Sequence, residues 1–530
     1  MSSERLSFKK TGYFSSLICD YLEEKSELKP FYHDFPNLEN FKSQIKEKSL
    51  SFDEPSRAVL VDRLKQQYKA IDTSGLTRQN IDALKQENTF TITTGHQLNL
   101  FTGPLYFLYK IVSTINLSKA LKETYPSYNF VPVYWMATED HDFDEINYFN
   151  FKGKKVQWNR ASQGAVGELS LEGLEAVFNL YSKELGVSEN ANYLRDLFRS
   201  AYLNHTNLAD ATRYLANILF KAYGLVIIDA NDAGLKKRFV PFIEEELLYQ
   251  KSYNSVLETN KDLSKAYGIQ VNPREINLFY LKENLRERIL FEDDIFKVNN
   301  TNISWSKSEI LKHLHEAPER FSPNVIMRPL YQEVILPNLC YIGGGGELAY
   351  WFQLKQFFNT VNVPFPVLLL RNSVLIKTKQ QADKLKRLNI SNEDIFLKRD
   401  AFINRKVREI SNINIDFSPQ REHLEAQFKA LFKLAEQTDK SFLGAVKAQE
   451  AKQLKGLGNL EQRLLKAQKK TLADQVSRMT ELQEQLFPGQ SLQERHTNFS
   501  ELYLEYGEQL IPNLIKNLDP LNSEFLILTL

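Results

Sequence analysis

Residues 130–137, FVPVYWMA, form an unbroken apolar run closed on both sides by polar residues. A strand that is apolar at every position, and not at alternate ones, needs cover on both faces. Upstream, Thr89–Thr94 (TFTITT) is β-branched and aromatic and reads as a strand ending at Gly95. Between the two, Phe107, Ile111, Ile115, Leu117 and Leu121 keep helical spacing. Strand, crossover helix and strand within about 50 residues make a βαβ unit, which requires parallel strands. The theme recurs. LVIID (225–229) is a further short strand followed by the helix KRFVPFIEEELL (237–248). LCYIGGGGELAYWFQLKQFF (339–358) reads as strand, glycine turn and helix, and FPVLLLR (365–371) as another strand. The fold class predicted is α/β, a doubly wound parallel-sheet core with two connecting insertions at about 150–220 and 250–325.

A chain of 530 residues exceeds what one hydrophobic core usually serves. Residues 1–88 read as helical and polar, with amphipathic stretches such as AVLVDRLKQQYKAI (58–71). From about residue 376 the composition shifts to Lys, Gln, Glu, Leu and Ala. Ser418-Pro419 predicts a helix start, and Leu424, Phe428, Leu431 and Ala435 then hold one apolar face. Leu465, Leu472, Met479 and Leu486 fall seven apart, with Val476 and Leu482 near a second seam that polar residues at 461, 468 and 475 interrupt. The heptad is partial, and an antiparallel helical hairpin is expected. The division expected is therefore 1–375 for the core with its helical N-terminal segment and insertions, 376–486 for a helical coiled-coil arm, and 487–530 for a segment packing back on the core.

The 67 basic residues almost cancel the 66 acidic ones, so the chain has no global field to hold nucleic acid or an anionic membrane. Two cysteines, Cys19 and Cys340, cannot staple a chain of this length and point to a reducing compartment. The first residues contain no sustained apolar run of a signal peptide, and no stretch approaches the roughly 18–20 apolar residues that span a bilayer. A soluble cytoplasmic protein is expected, with no nucleic-acid and no membrane partner.

In an open parallel sheet, ligands bind beyond the carboxyl ends of the strands. Four such ends carry chemistry here. Gly95-His96-Gln97 is followed by Thr102-Gly103-Pro104 and a helix holding Tyr106 and Lys110. Glycine lets the backbone turn close to a ligand and His96 exchanges a proton near neutrality, although a hydrogen-bonded histidine in a tight turn would look the same. Glu139-Asp140-His141-Asp142, with Asp144 and Glu145 beyond, gathers carboxylates that repel unless a cation, an arginine or a proton compensates. Asp229-Ala230-Asn231-Asp232 leads into a helix, where Asp232 serves as a cap or faces a ligand. Gly343-Gly344-Gly345-Gly346-Glu347 can turn several N–H groups toward an anion, but it has neither P-loop nor dinucleotide spacing.

Other matches carry less. SWSKSE (304–309) has a faint likeness to a loop of adenylate-forming enzymes, but Ser306 with Glu309 is explained by a capping box. His313 and His315 are two apart and fall on different helix faces, so no metal site is expected. Cys340, on an apolar strand, reads as a small core residue.

Four stretches, in this order along nearly the whole chain, carry a resemblance: TTGHQLNLFTGPLYFLYK (93–110), VPVYWMATEDHDFDEIN (131–147), FSPNVIMRPLYQEVILPNLCYIGGGGELAYWFQLK (321–355) and QERHTNFSELYLEYG (493–507). Together they resemble the bacillithiol biosynthesis cysteine-adding enzyme family, a family of cysteine ligases. The GHQ–TGP and EDHDF–E pairs weigh most. The family's glycine turn often contains a proline, where this chain has four glycines. The resemblance implies a Rossmann-like core with two connecting insertions and a coiled-coil arm that supports a homodimer. It also implies the last step of bacillithiol synthesis, joining L-cysteine to glucosaminyl malate.

A free carboxylate is a poor acyl donor, so ATP with magnesium is the expected activator, although no motif shows a nucleotide site directly. On this reading His96, Asp140, His141 and Asp142 are the catalytic candidates. Gly95, Gln97, Thr102, Gly103, Tyr106, Lys110, Glu139, Gly344 and Gly345 line the substrate. Arg328 and Arg371 suit the malate carboxylates, and Asn231 and Glu347 the sugar hydroxyls. Two other classes stay open: a nucleotidyl transferase of related fold activating another acid, and a non-catalytic assembly protein whose coiled coil is the working part.

Overall fold

The computed structural model describes residues 2–530. Its centre is a sheet of five parallel strands: β1 (Thr89–His96), β2 (Asn129–Met136), β3 (Val226–Asp229), β4 (Asn338–Gly343) and β5 (Val367–Leu370). Their spatial order is β5-β4-β1-β2-β3. From β1 the chain winds outward through β2 and β3, then returns to lay β4 and β5 on the other side. The order therefore reverses between β1 and β4, and beyond their carboxyl ends is where the topology of such a sheet places a ligand crevice. The apolar run at 130–137 is β2, the strand between β1 and β3, and is buried from Phe130 to Met136. β1 outlasts the expected stop at Gly95: Gly95 pairs with Trp135 and His96 with Met136, so His96 is still held by the ladder.

Helix α1 (Tyr106–Thr124) crosses from β1 to β2, and α2 (Ala233–Tyr249) follows β3. Helix α3 (Met327–Ile335) precedes β4, and α4 (Gly345–Trp351) follows it. α1 is buried on more than the one face its periodicity shows, because the C-terminal segment covers its far side: Asn116 donates to the Ile515 and Leu518 carbonyls at 2.9 and 2.6 Å.

The first insertion holds the hairpin Tyr148–Phe151/Lys154–Gln157 and three helices spanning Leu174–Phe220. The second holds the helix Lys251–Leu263 and a five-stranded antiparallel sheet between Leu278 and Pro323 that periodicity did not reveal. The N-terminal reading as helical and polar needs one correction. Ser2–Ser7 is a strand antiparallel to Glu524–Thr529, which also pairs in parallel with Val374–Lys377. Only Leu6 of those six residues is buried, so pairing with the apolar strand Glu524–Thr529, and no local pattern, makes it a strand.

In the arm, helices Ser418–Ala435 and Lys440–Thr471 run antiparallel: Arg421 pairs with Glu461, while Ala435 shares a small core with Phe428 and Val446. The seam of Leu465, Met479, Leu482 and Leu486 packs on the main core instead. The helix breaks at Leu472 and resumes over Ala473–Leu486. Ser306 and Glu309 form the expected capping box, and His313 and His315 turn to different partners, Tyr280 and Glu244. Burial pushes the Cys340 thiol well above its ordinary range, as befits a core residue. No helix among the described residues is long and apolar enough to cross a membrane.

Candidate active site

The crevice between β1 and β4 is built around an ion pair of a buried lysine and a part-buried glutamate. Lys110, in the first turns of α1, donates to the Gly95 carbonyl at 2.7 Å and to Glu347 Oε2 at 2.6 Å. Glu347 also accepts from the Gly344 N–H at 2.8 Å and from the Tyr341 hydroxyl at 2.7 Å. One lysine thus ties the end of β1 to the glycine turn after β4. Burial lowers the Lys110 ammonium from its ordinary value, against the pull of Glu347. Burial would likewise raise the Glu347 carboxyl, but Lys110, Gly344 and Tyr341 outweigh it and hold it below the ordinary carboxylate value. Gly95 leaves room for this arrangement, since a Cβ there would stand 3.2 Å from the Tyr341 hydroxyl.

These contacts alter three sequence expectations. Lys110 and Glu347 form the wall of the crevice, with their polar atoms engaged by the protein. The Gly344 N–H is taken by Glu347, and Gly345 opens α4, so the glycine turn offers fewer donors than four free glycines would.

His96 is 7% exposed, with its ring edge-on to Tyr106 at 5.4 Å and against Phe107 at 5.0 Å. Its Nε2 is buried without a hydrogen-bond partner in the protein. Burial, then the charges of Lys110 and Arg371, hold it well below the ordinary histidine value, so the ring is neutral near pH 7. The loop after it turns sharply, with Phe101, Thr102 and Gly103 all at positive φ (47°, 69° and 60°). Backbone in that region is costly for side chains other than glycine and persists only where neighbours enforce it. Asn498 does so, donating to the Phe101 and Gly103 carbonyls at 2.8 and 2.6 Å. At Gly103 a Cβ would come within 2.7 Å of the Asn99 side chain. The Thr102 hydroxyl is buried and unpartnered.

Gln97 joins the first motif to the second by donating to Asp140 Oδ2 at 2.9 Å and Glu145 Oε2 at 2.8 Å. Glu139 is turned away from them toward Lys236, a fully buried lysine 2.5 Å distant that also donates to the Phe321 carbonyl. His141 is half-exposed and engages Arg286 and Phe279 of the second insertion. Burial and Arg286 lower it from the ordinary histidine value. Asp142 is exposed and precedes the short helix Phe143–Ile146. Asp140 is thus joined through Gln97 to the His96 strand end and also accepts from the His141 and Asp142 N–H groups at 2.7 and 3.4 Å, while the His141 ring turns to the second insertion.

At β3, Asp232 caps α2 through the Gly234 and Leu235 N–H groups and pairs with Arg63 at 2.8 Å, so of its two readings the cap is the one seen. The Asn231 N–H donates to Asp229 Oδ1, and its side chain meets Glu168.

The two arginines differ. Arg328 on α3 is half-buried, donating to Gln332 at 3.0 Å and the Tyr350 hydroxyl at 3.2 Å, close to the Trp135 and Tyr341 rings. Arg371, past β5, is 3% exposed; its Nη atoms are bound to Asn372, Ser373 and Glu494, while its Nε is buried without a partner. Sequence reasoning missed Tyr341, Lys236, Arg286, Glu494 and Asn498 as site residues. Tyr341 is hidden in an apolar strand. Glu494 and Asn498 lie in the stretch 493–507, where only the resemblance drew attention. No group of three or more His, Cys, Asp or Glu among the described residues is arranged to hold a metal ion.

Two family models match end to end: "Bacillithiol biosynthesis BshC, N-terminal Rossmann-like domain" over residues 1–372, and "Bacillithiol biosynthesis BshC, C-terminal coiled-coil domain" over 374–530. A Flavobacterium johnsoniae protein is 62% identical over 530 residues, covering all of both chains. A Cytophaga hutchinsonii protein is 38% identical, covering 98% of this chain and 97% of its own. One from Bacillus thuringiensis is 31% identical over 72% of each. All three carry the name "Putative cysteine ligase BshC". With both halves matched and full-length relatives at this similarity, the chain belongs to the BshC family of bacillithiol biosynthesis.

Proposed function

We propose that this chain is a ligase that joins the carboxyl of L-cysteine to the amine of glucosaminyl malate, completing bacillithiol, with the carboxyl activated by ATP and magnesium. Family membership supports the reaction class. The observation that carries the site is the end of β1, where three consecutive residues converge: Gly95, whose Cβ position lies 3.8 Å from Arg328 Nη1, His96, buried with an unpartnered Nε2, and Gln97, which donates to Asp140 and Glu145.

Amide formation places a new N–C bond on the activated carbonyl carbon, breaks the bond to the phosphate oxygen and releases protons from the amine. Asp140 and Glu145, both accepting from the Gln97 Nε2 amino group, attract and orient that amine as its ammonium. An ammonium gives up two protons on becoming an amide: the first passes to solvent before attack, and the neutral His96 ring takes the second. Arg328 is the guanidinium left to meet a malate carboxylate. ATP, when bound, supplies the leaving group. Two bridged carboxylates are fewer oxygens than a resident magnesium requires, which suits an ion carried in on the nucleotide phosphates.

Mass spectrometry of the purified protein incubated with cysteine and glucosaminyl malate, with and without ATP-magnesium, tests this. A bacillithiol mass only with ATP is the expected result. Product without ATP removes the activation scheme, and no product in either case sinks the reaction.

We also infer a homodimer through the arm. Leu431, Leu434, Phe442 and Leu460 are 41–54% exposed there, apolar surface that a second copy would cover. Sedimentation should give a dimer that Leu434→Glu with Leu460→Glu converts to monomer; a monomeric parent protein would refute it.

A further inference from the structure

The side chain that fixes Arg371 comes from the C-terminal domain. Glu494 is 1% exposed, and its Oε1 accepts from Arg371 Nη2 at 2.8 Å and from the Ser373 hydroxyl at 3.1 Å. Its Oε2 accepts from the Val374 N–H at 3.0 Å. Arg371 in turn donates its own N–H to the Gly343 carbonyl at 2.9 Å, locking the ends of β4 and β5 together. Its guanidinium lies over the Tyr106 ring, 5.0 Å from the centroid, and Tyr106 meets the His96 ring edge-on at 5.4 Å. A continuous run of contacts therefore links Glu494 through Arg371 and Tyr106 to His96. A guanidinium this deeply buried needs its counterion, and a cation pressed on an aromatic face fixes that ring.

We propose that Glu494 is a positioning residue for His96, acting through Arg371 and Tyr106, so that the C-terminal half of the chain completes the crevice of the N-terminal half. The proposal rests on the ligase reading for what His96 does, but not for where His96 is held. Glu494 touches no reacting atom. Its effect should therefore fall on the step that uses His96 and spare the binding of either substrate.

The test uses the full-length protein. Glu494→Gln keeps an acceptor and removes the charge; it should lower kcat by about tenfold or more while leaving KM for both substrates within about threefold. Arg371→Gln should show a similar loss, and the double variant no more than Arg371→Gln alone, because the two act as a unit. Glu494→Asp, which keeps the charge on a shorter stem, should fold and restore part of kcat. With histidine-labelled protein, the His96 ring resonance, identified by its absence in His96→Ala, should move in Glu494→Gln and by a smaller amount in Glu494→Asp. The His313 resonance should stay fixed. An unmoved His96 resonance in both Glu494 variants, or losses in the double variant that multiply, overturns the proposal. A His96 resonance that moves in a protein making no bacillithiol leaves the positioning role standing and removes the ligase reading.

Discussion

Replacing His96 with alanine lowers turnover by about 10²–10⁴-fold, the usual worth of a positioned general base. The prediction follows from its unpartnered Nε2 at the carboxyl end of β1, beside the carboxylates that Gln97 gathers. The loss should lie in kcat, measured as product formed per minute at saturating substrates, because His96 is asked to act in the chemical step. Turnover within about twofold of the parent protein would remove His96 from the mechanism.

The pH profile adds a second check. Burial, Lys110 and Arg371 all disfavour the imidazolium, so the native value lies well below the ordinary 6.5. The acid limb of kcat/KM should therefore fall below pH 6.5, and a limb at 6.5 would contradict the buried site. Stability obeys the same linkage. The unfolded chain takes up a proton at the ordinary value while the native chain resists it. The contribution of His96 is thus complete above about pH 6.5 and is lost as pH falls from there toward the native value. His96→Ala should flatten that part of the stability curve.

The parallel core was legible because its signal is local: β2 is apolar at nearly every position, and β1 is β-branched and bounded by glycine. The strand ends gave the crevice, since position in a doubly wound sheet suffices to select them. What stayed hidden depends on partners distant in sequence. Ser2–Ser7 is a strand only because Glu524–Thr529 lies beside it. The ion pair of Glu347 requires Lys110, 237 positions away, and that of Arg371 requires Glu494, 123 positions on. A sequence shows that a residue can bind; whether its bonding capacity is already used is settled by contacts of this range. That is why the ion pair of Lys110 and Glu347, which ties the end of β1 to the glycine turn, could not be read from either residue alone, and why Arg328 is the more exposed of the two arginines.

The frame itself is the second strong prediction. Lys110→Met should destabilise the protein by about 2–3 kcal/mol, because it leaves a part-buried carboxylate without its counterion. It should also abolish most activity, since the Gly95 carbonyl at the His96 strand end loses its donor. The sign of the pH dependence separates this from a packing defect. In the parent protein Glu347 sits below its ordinary value of 4.5, so its contribution is present above that pH and lost as pH falls through the native value. Without Lys110 the effect of burial is no longer offset to the same degree, the carboxyl titrates higher, and keeping it ionised costs more as pH rises. The stability gap between parent and variant should therefore be wider at about pH 7 than at about pH 4.5 in urea titrations. A packing defect would give a gap that does not change with pH. Lys110→Met combined with Glu347→Gln should recover most of the lost stability, because no buried charge is then left unpaired. Activity should stay low in the double variant, since Gly95 and the glycine turn are no longer tied. A single variant costing less than about 1 kcal/mol, or a double variant no more stable than the single, would mean that the pair does not hold the crevice together.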